Sequence, residues 1–216
     1  RIEADAEGNE EDPDAPLNEN DSEVSEVFGN VRCREHRWDM KLPLSPLVRE
    51  ALGTLLSNLG PALEEQVSEE ARLVELSCLI SDPGAKQQPL HPDTPATESG
   101  SPGLVTVFTA LQPISRPMGP TVVCPGSHKN ISAQEELFKL DMEARASEPA
   151  LENFGSEVVC CSAGSSLLMD SRLLHGGGAN LAAGEGGMRR RLLYCTWMLP
   201  GTAPAGSTYS IRPELK

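Results

Sequence analysis

Proline and glycine interrupt this chain so often that few stretches are free to run as long helices. Asp82-Pro83-Gly84, Arg116-Pro117-Met118-Gly119-Pro120, Pro125-Gly126-Ser127-His128 and Gly184-Glu185-Gly186-Gly187 each break the backbone between apolar segments. Proline fixes φ and lacks the N–H that a helix or a central strand needs, and glycine admits left-handed turns. With 19 Gly and 18 Pro in 216 residues and only 4% aromatic residues, the composition favours short elements joined by turns; 38% hydrophobic residues are enough for one sizeable core. A turn-rich, mainly β architecture fits this best.

The exception comes early. Ser45-Pro46 offers a helix start, and Leu47, Val48, Ala51, Leu52, Leu55, Leu56 and Leu59 recur at helical spacing until Gly60-Pro61, which should end or interrupt the helix. A second short helix is expected over residues 61–66. Strands are expected over 71–80, 103–111, 121–124, 157–161, 165–170 and 192–198, where β-branched and apolar residues lie between turn signals. Residues 94–102 read as a polar loop suited to the edge of a site, 132–153 as a charged insertion, and Gly176-Gly177-Gly178 with Gly184 to Gly187 as a flexible connection.

The formal charge of −14 is concentrated at one end. Residues 1–30 carry 11 acidic residues and one basic one, leaving 21 acids against 17 bases elsewhere. The tail cannot bury enough apolar surface to offset chain ordering, so residues 1–30 are expected to be disordered and dispensable for activity, with 31–216 forming the domain. A near-balanced domain without a basic face excludes nucleic acid as a primary partner. No apolar run approaches the roughly 18 residues that cross a bilayer, so no membrane partner is expected. The six cysteines form no Cys-x-x-Cys pair and suit free thiols in a reducing setting, cytoplasmic or organellar. Alternate residues of the Val158-Val159-Cys160-Cys161 run should face the core. A monomer or weak homo-oligomer is expected.

Against this background, Pro89-Leu90-His91-Pro92-Asp93-Thr94 stands out. Its prolines favour extended backbone, where residues i and i+2 share a face, so His91 and Asp93 can reach one metal ion. With His175 they would supply two imidazoles and a carboxylate, a set that holds Fe(II) on one face and leaves the other positions open for a 2-oxo acid and O₂. Such chemistry needs a fixed cation for the distal carboxylate of the oxo acid, and Arg189-Arg190-Arg191 supplies three candidates, with Arg190 facing opposite to its neighbours. A hydrolase is disfavoured because Gly164-Ser165-Ser166 lacks the Gly-x-Ser-x-Gly elbow.

The order of His91-Pro92-Asp93, Gly119 to Lys129, Leu168 to Asn180 and an Arg before the last strand resembles the phytanoyl-CoA dioxygenase family of Fe(II)- and 2-oxoglutarate-dependent oxygenases. The resemblance covers about residues 31–197. It implies a double-stranded β-helix, a jelly-roll (cupin-like) barrel with N-terminal helices packed outside. It also implies Fe(II) and 2-oxoglutarate as cofactors, with ascorbate as an optional reductant, and hydroxylation of a small-molecule substrate with release of succinate and CO₂. His91, Asp93 and His175 would bind iron and Arg190 the 2-oxoglutarate, with Arg189 and Arg191 as alternatives. Asp93 argues against a halogenase, in which a small residue would free a site for halide. Gly177 stands where the family often carries a hydroxyl residue, so one cofactor hydrogen bond must be absent or come from elsewhere. Thr106 and Phe108 would line the cofactor pocket. His128 is a candidate at the substrate rim, although a structural turn role weighs more heavily; His36 has no sequence partner, and Asp170 could orient a neighbour. The resemblance does not establish an acyl-CoA substrate. The other reading is a non-catalytic metal-binding or interaction protein of the same fold.

Overall fold

A computed structural model describes residues 27–29, 31–64, 67–97, 100, 103–201, 204 and 210–215. The segment expected to be disordered lies outside them apart from 27–29, as do residues 98, 99, 101 and 102 of the polar loop. The chain runs through β1 (Arg37–Lys41), α1 (Pro46–Glu64), β2 (Arg72–Ser81), β3 (Leu104–Ala110) and β4 (Thr121–Val123). Three short helices follow, α2 (Ile131–Phe138), α3 (Met142–Arg145) and α4 (Glu148–Asn153). The chain then forms β5 (Glu157–Val159), β6 (Ser166–Asp170), β7 (His175–Gly177) and β8 (Arg190–Met198).

The strands form two antiparallel sheets, a large one in the order β1-β2-β8-β3-β6 and a small one in the order β5-β4-β7. The large sheet alternates, apart from a register shift in β2 between Leu73 and Glu75. Leu76, Val107, Leu193 and Cys195 face outward and pack with Leu52, Leu55 and Leu63 of α1 in one buried cluster. Their neighbours Glu75, Thr106, Phe108, Leu192, Tyr194 and Thr196 line a cavity on the opposite face. Helix and cavity therefore lie on opposite sides of one sheet, and each buried Leu contributes about 1.5–3 kcal/mol to holding the outer layer.

Two expectations need correction. First, α1 does not stop at Gly60-Pro61: it continues to Glu64, because Leu63 extends the buried stripe one turn beyond Leu59, and packing outweighs the backbone N–H that Pro61 lacks. Among the described residues, α1 packs outside the large sheet on the N-terminal side, and the three short helices belong to the 132–153 insertion, after β4. Second, Gly176 and Gly177 form no flexible connection but lie buried in β7. A Cβ on Gly176 would stand 3.2 Å from Gln88 O, and one on Gly178 would stand 2.7 Å from Pro120 O, so backbone fills the space of side chains. Along Val158 to Cys161 exposure alternates as expected, with Cys160 exposed and Cys161 half-buried against Ala110, Ile114 and Leu192; all six cysteines are free thiols.

The insertion has a definite place. Leu137 of α2 is wholly buried with Leu90, Cys124 and Leu174, and Leu140, Leu151 and Phe154 pack against them. Asn130, Asp141 and Ser147 cap the three helices through Ala133, Ala144 and Ala150 N–H groups. Because Leu90 precedes His91 and Leu174 precedes His175, this second apolar cluster is the footing of both histidines.

Candidate metal centre

His91 and His175 are cross-strand partners. Their backbones exchange both hydrogen bonds, His91 N to His175 O at 3.0 Å and His175 N to His91 O at 2.9 Å, so residues 88–91 extend the small sheet along β7. Such pairing sets the two rings side by side, with centroids 4.6 Å apart. Each Nδ1 is committed to a carbonyl that can only accept: His91 Nδ1 donates to Pro89 O at 2.7 Å and His175 Nδ1 to Leu173 O at 2.9 Å. Both imidazoles are thereby held in the tautomer whose Nε2 lone pair is open to a metal. Burial, and then the adjacent His175 ring, hold the His91 pKa well below the usual imidazole range, which keeps the ring neutral.

Asp93 completes the set from a bend. Its N–H donates to Ser171 O at 2.8 Å, and Thr94 anchors the same point through its own N–H and a 2.6 Å hydroxyl contact to Ser171. Asp93 Oδ1 lies 3.7 Å from His175 Nε2, and one ligand atom from each of His91, Asp93 and His175 lies within 4.8 Å of the others. Among the described residues this is the one group of three or more His, Cys, Asp or Glu that could hold a metal ion. Behind it, Asp170 grips Arg172 through two carboxylate oxygens, and Arg172 reaches Thr97 Oγ1 at 2.9 Å, tying the polar loop to the turn before β7.

The three side chains open into a cavity of about 340 Å³ between the sheets. Thr106 and Phe108 line it, as does Arg190, whereas Arg189 and Arg191 point to solvent, where Arg189 pairs with Asp82 and Arg191 with Gln112. Strand alternation thus selects Arg190. It is 4% exposed, donates through Nη1 to Gly119 O, and leaves Nε buried without an acceptor among the described residues. Burial pulls its pKa down to about 10, so it remains a cation at neutral pH. An orphaned buried guanidinium N–H in a cavity fits a carboxylate ligand. Gly119 makes the approach feasible: its φ is +63°, and a Cβ there would fall 2.3 Å from Gly178 O.

His128 does not line the cavity. It sits in the turn that ends β4, where Ser127 Oγ accepts from Leu174 N–H at 2.8 Å and braces the entry to β7. His36 is exposed near Glu35. The sequence reading missed Gln88, whose Oε1 accepts from Gly177 N–H at 2.6 Å. It also missed Asp39, buried beneath the cavity wall, whose carboxylate takes hydrogen bonds from Tyr194 at 3.0 Å and Ser210 at 2.6 Å. The only available signal for Gln88 was the missing side chain at 177.

Two antiparallel sheets enclosing a His-Asp-His cluster and a buried arginine define the class of non-haem metal oxygenase folds. The chain belongs to the phytanoyl-CoA dioxygenase family, whose model matches residues 2–190. Its fold is similar to that of HygX from Streptomyces hygroscopicus with nickel and 2-oxoglutarate bound, at 18% identity and a TM-score of 0.59 over 86% of this chain and 79% of that one. The same holds for HygX with nickel, 2-oxoglutarate and hygromycin B bound, at 18% identity and a TM-score of 0.59 over 90% and 87%. Uncharacterized protein Rv1501 of Mycobacterium tuberculosis is 34% identical over 101 residues, 47% of this chain and 32% of that protein. The match therefore spans about a third of that relative's length. No helix among the described residues is long and apolar enough to cross a membrane.

Proposed function

We propose that this chain is an Fe(II)- and 2-oxoglutarate-dependent dioxygenase that hydroxylates a small molecule while 2-oxoglutarate is converted to succinate and CO₂. The observation that carries this reading is the convergence of His91, Asp93 and His175 on a cavity that also holds the buried Arg190. Iron held by the triad would supply the activation of dioxygen. The protein's share is positioning: two histidines locked in the ligating tautomer, a carboxylate fixed by the Ser171 turn, and a permanent cation for the distal carboxylate of the oxo acid. Thr106 and Phe108 form the facing wall, and Thr106 is fixed by a 2.8 Å hydroxyl contact to Thr196. The two sheets are read as a double-stranded β-helix and residues 31–216 as its domain. Family membership supports the cofactor pair, and hygromycin B in the HygX structure supports a small-molecule substrate.

Aerobic incubation with Fe(II), 2-oxoglutarate and a metabolite extract tests the reading. The expected outcome is succinate that forms only when both cofactors are present, together with a product heavier by one oxygen atom in mass spectra. If no iron- and 2-oxoglutarate-dependent succinate forms, even uncoupled from substrate, the reading fails.

A further inference from the structure

The space that a side chain at 177 would fill is held by Gln88. A Cβ on Gly177 would stand 2.7 Å from Gln88 Oε1 and 3.4 Å from Arg190 Nη2, so carboxamide and guanidinium border the same point of the cavity. Gln88 is tied to β7 twice, through its own N–H to Gly177 O at 2.9 Å and through Oε1 to Gly177 N–H at 2.6 Å. A backbone N–H can only donate, so this second bond fixes which end of the carboxamide is oxygen and leaves the nitrogen as the available end. Nε2 donates to Arg32 O at 2.7 Å, which accounts for one of its two hydrogens. The other N–H has no acceptor among the described residues, and Gln88 lines the cavity.

We propose that Gln88 is a binding residue of the cosubstrate pocket and donates its second N–H to the carboxylate that Arg190 holds. The proposal rests on the reading of the site as a 2-oxoglutarate site. An ionised carboxylate accepts about four hydrogen bonds and a bidentate guanidinium supplies about two of them, so a neighbouring neutral donor adds both affinity and orientation. Gly177 is then no loss: its bare backbone makes room for Gln88 and supplies the N–H that orients it.

The test is calorimetric titration of 2-oxoglutarate into the metal-loaded protein without oxygen, for the unmodified chain, Gln88→Ala, Gln88→Glu and the double variant Gln88→Ala with Gly177→Ser. Loss of one hydrogen bond to a charged group should weaken binding roughly tenfold in Gln88→Ala, and more in Gln88→Glu, where a second carboxylate faces the first. Metal affinity should stay unchanged, the melting temperature should fall slightly with the loss of the bonds to Gly177 N–H and Arg32 O, and the double variant should regain affinity through the new hydroxyl. Binding within about twofold of the unmodified chain in both single variants, metal affinity that falls in parallel, or a double variant that regains nothing would each overturn the proposal. If the unmodified chain binds no 2-oxoglutarate, the functional reading itself falls, and this proposal with it.

Discussion

The two sheets are stabilised in different ways. The large sheet is a side-chain structure: its strands carry wholly buried Leu76, Val107 and Cys195 beneath α1, and its inner face is a row of alternating residues. The small sheet has three strands of three residues each, and its β7 edge is packed against main chain at Gly176 (Gln88 O) and at the following Gly178 (Pro120 O), with the Gln88 side chain against Gly177. The two histidines of the candidate metal site belong to the small sheet, and Arg190 across the cavity to the large one. A wall held by interchangeable apolar contacts tolerates adjustment, whereas a wall held by backbone contacts fixes positions. The difference puts the geometrically demanding groups on the stiffer and shorter sheet.

The largest effect that could break this contrast is expected at Asp93, which follows the strand segment added to the small sheet. Asp93→Ala should lower cofactor-dependent succinate release by about a thousandfold or more, since a carboxylate ligand and its charge are both lost. A variant with full turnover would sink the assignment of the small sheet as the metal wall. On the large sheet, Arg190→Met should weaken 2-oxoglutarate binding by roughly 10- to 100-fold, the worth of a charge-assisted pair, while metal affinity in a chelator competition stays the same.

A paired truncation sharpens the comparison further. Leu76→Ala and Leu174→Ala each remove a wholly buried side chain and should cost about 2–5 kcal/mol in denaturant unfolding. Only Leu174→Ala, beside His175, should also lower metal affinity, by roughly tenfold. Equal metal affinity in the two variants would show that the apolar cluster under the histidines does not position them.

The smallest expected effect is a pH slope. Burial raises the pKa of Asp39, against hydrogen bonds from Ser210 and Tyr194 that lower it. The folded state therefore keeps a proton at pH values where the unfolded chain has released it, and stability should fall as pH rises from the unfolded value near 3.8 through the folded one. Asp39→Asn should flatten that part of the unfolding free-energy curve. An unchanged slope would assign the pH dependence to other groups.

What the sequence made legible follows the same division. β2, β3 and β8 stand out as apolar runs between turns, and strand alternation sets Arg190 opposite to Arg189 and Arg191, although which side meets the cavity is seen only in the structure. β1 is not evident as a strand, since Arg37-Trp38-Asp39-Met40-Lys41 buries its Arg and Asp and exposes its Trp, against ordinary polarity. β7 was hidden for a physical reason: glycines carry no periodic signal, and the contacts that make them a strand come from Gln88, Pro120 and Gly119, distant in sequence. His91 and Asp93 were readable as an i, i+2 pair. Gln88 was not, because its partner is a backbone N–H.

The packed glycines of β7 also bear on how such an enzyme could change its diet. Where the contacts are main chain almost no substitution is open, since a side chain at Gly176 or Gly178 must displace another segment, whereas one at Gly177 meets side chains, those of Gln88 and Arg190. Phe108 and Leu192 across the cavity meet side chains instead and face no such restriction. Diversification of substrate range would accumulate on that side, one side chain at a time, while the metal side stays as it was inherited.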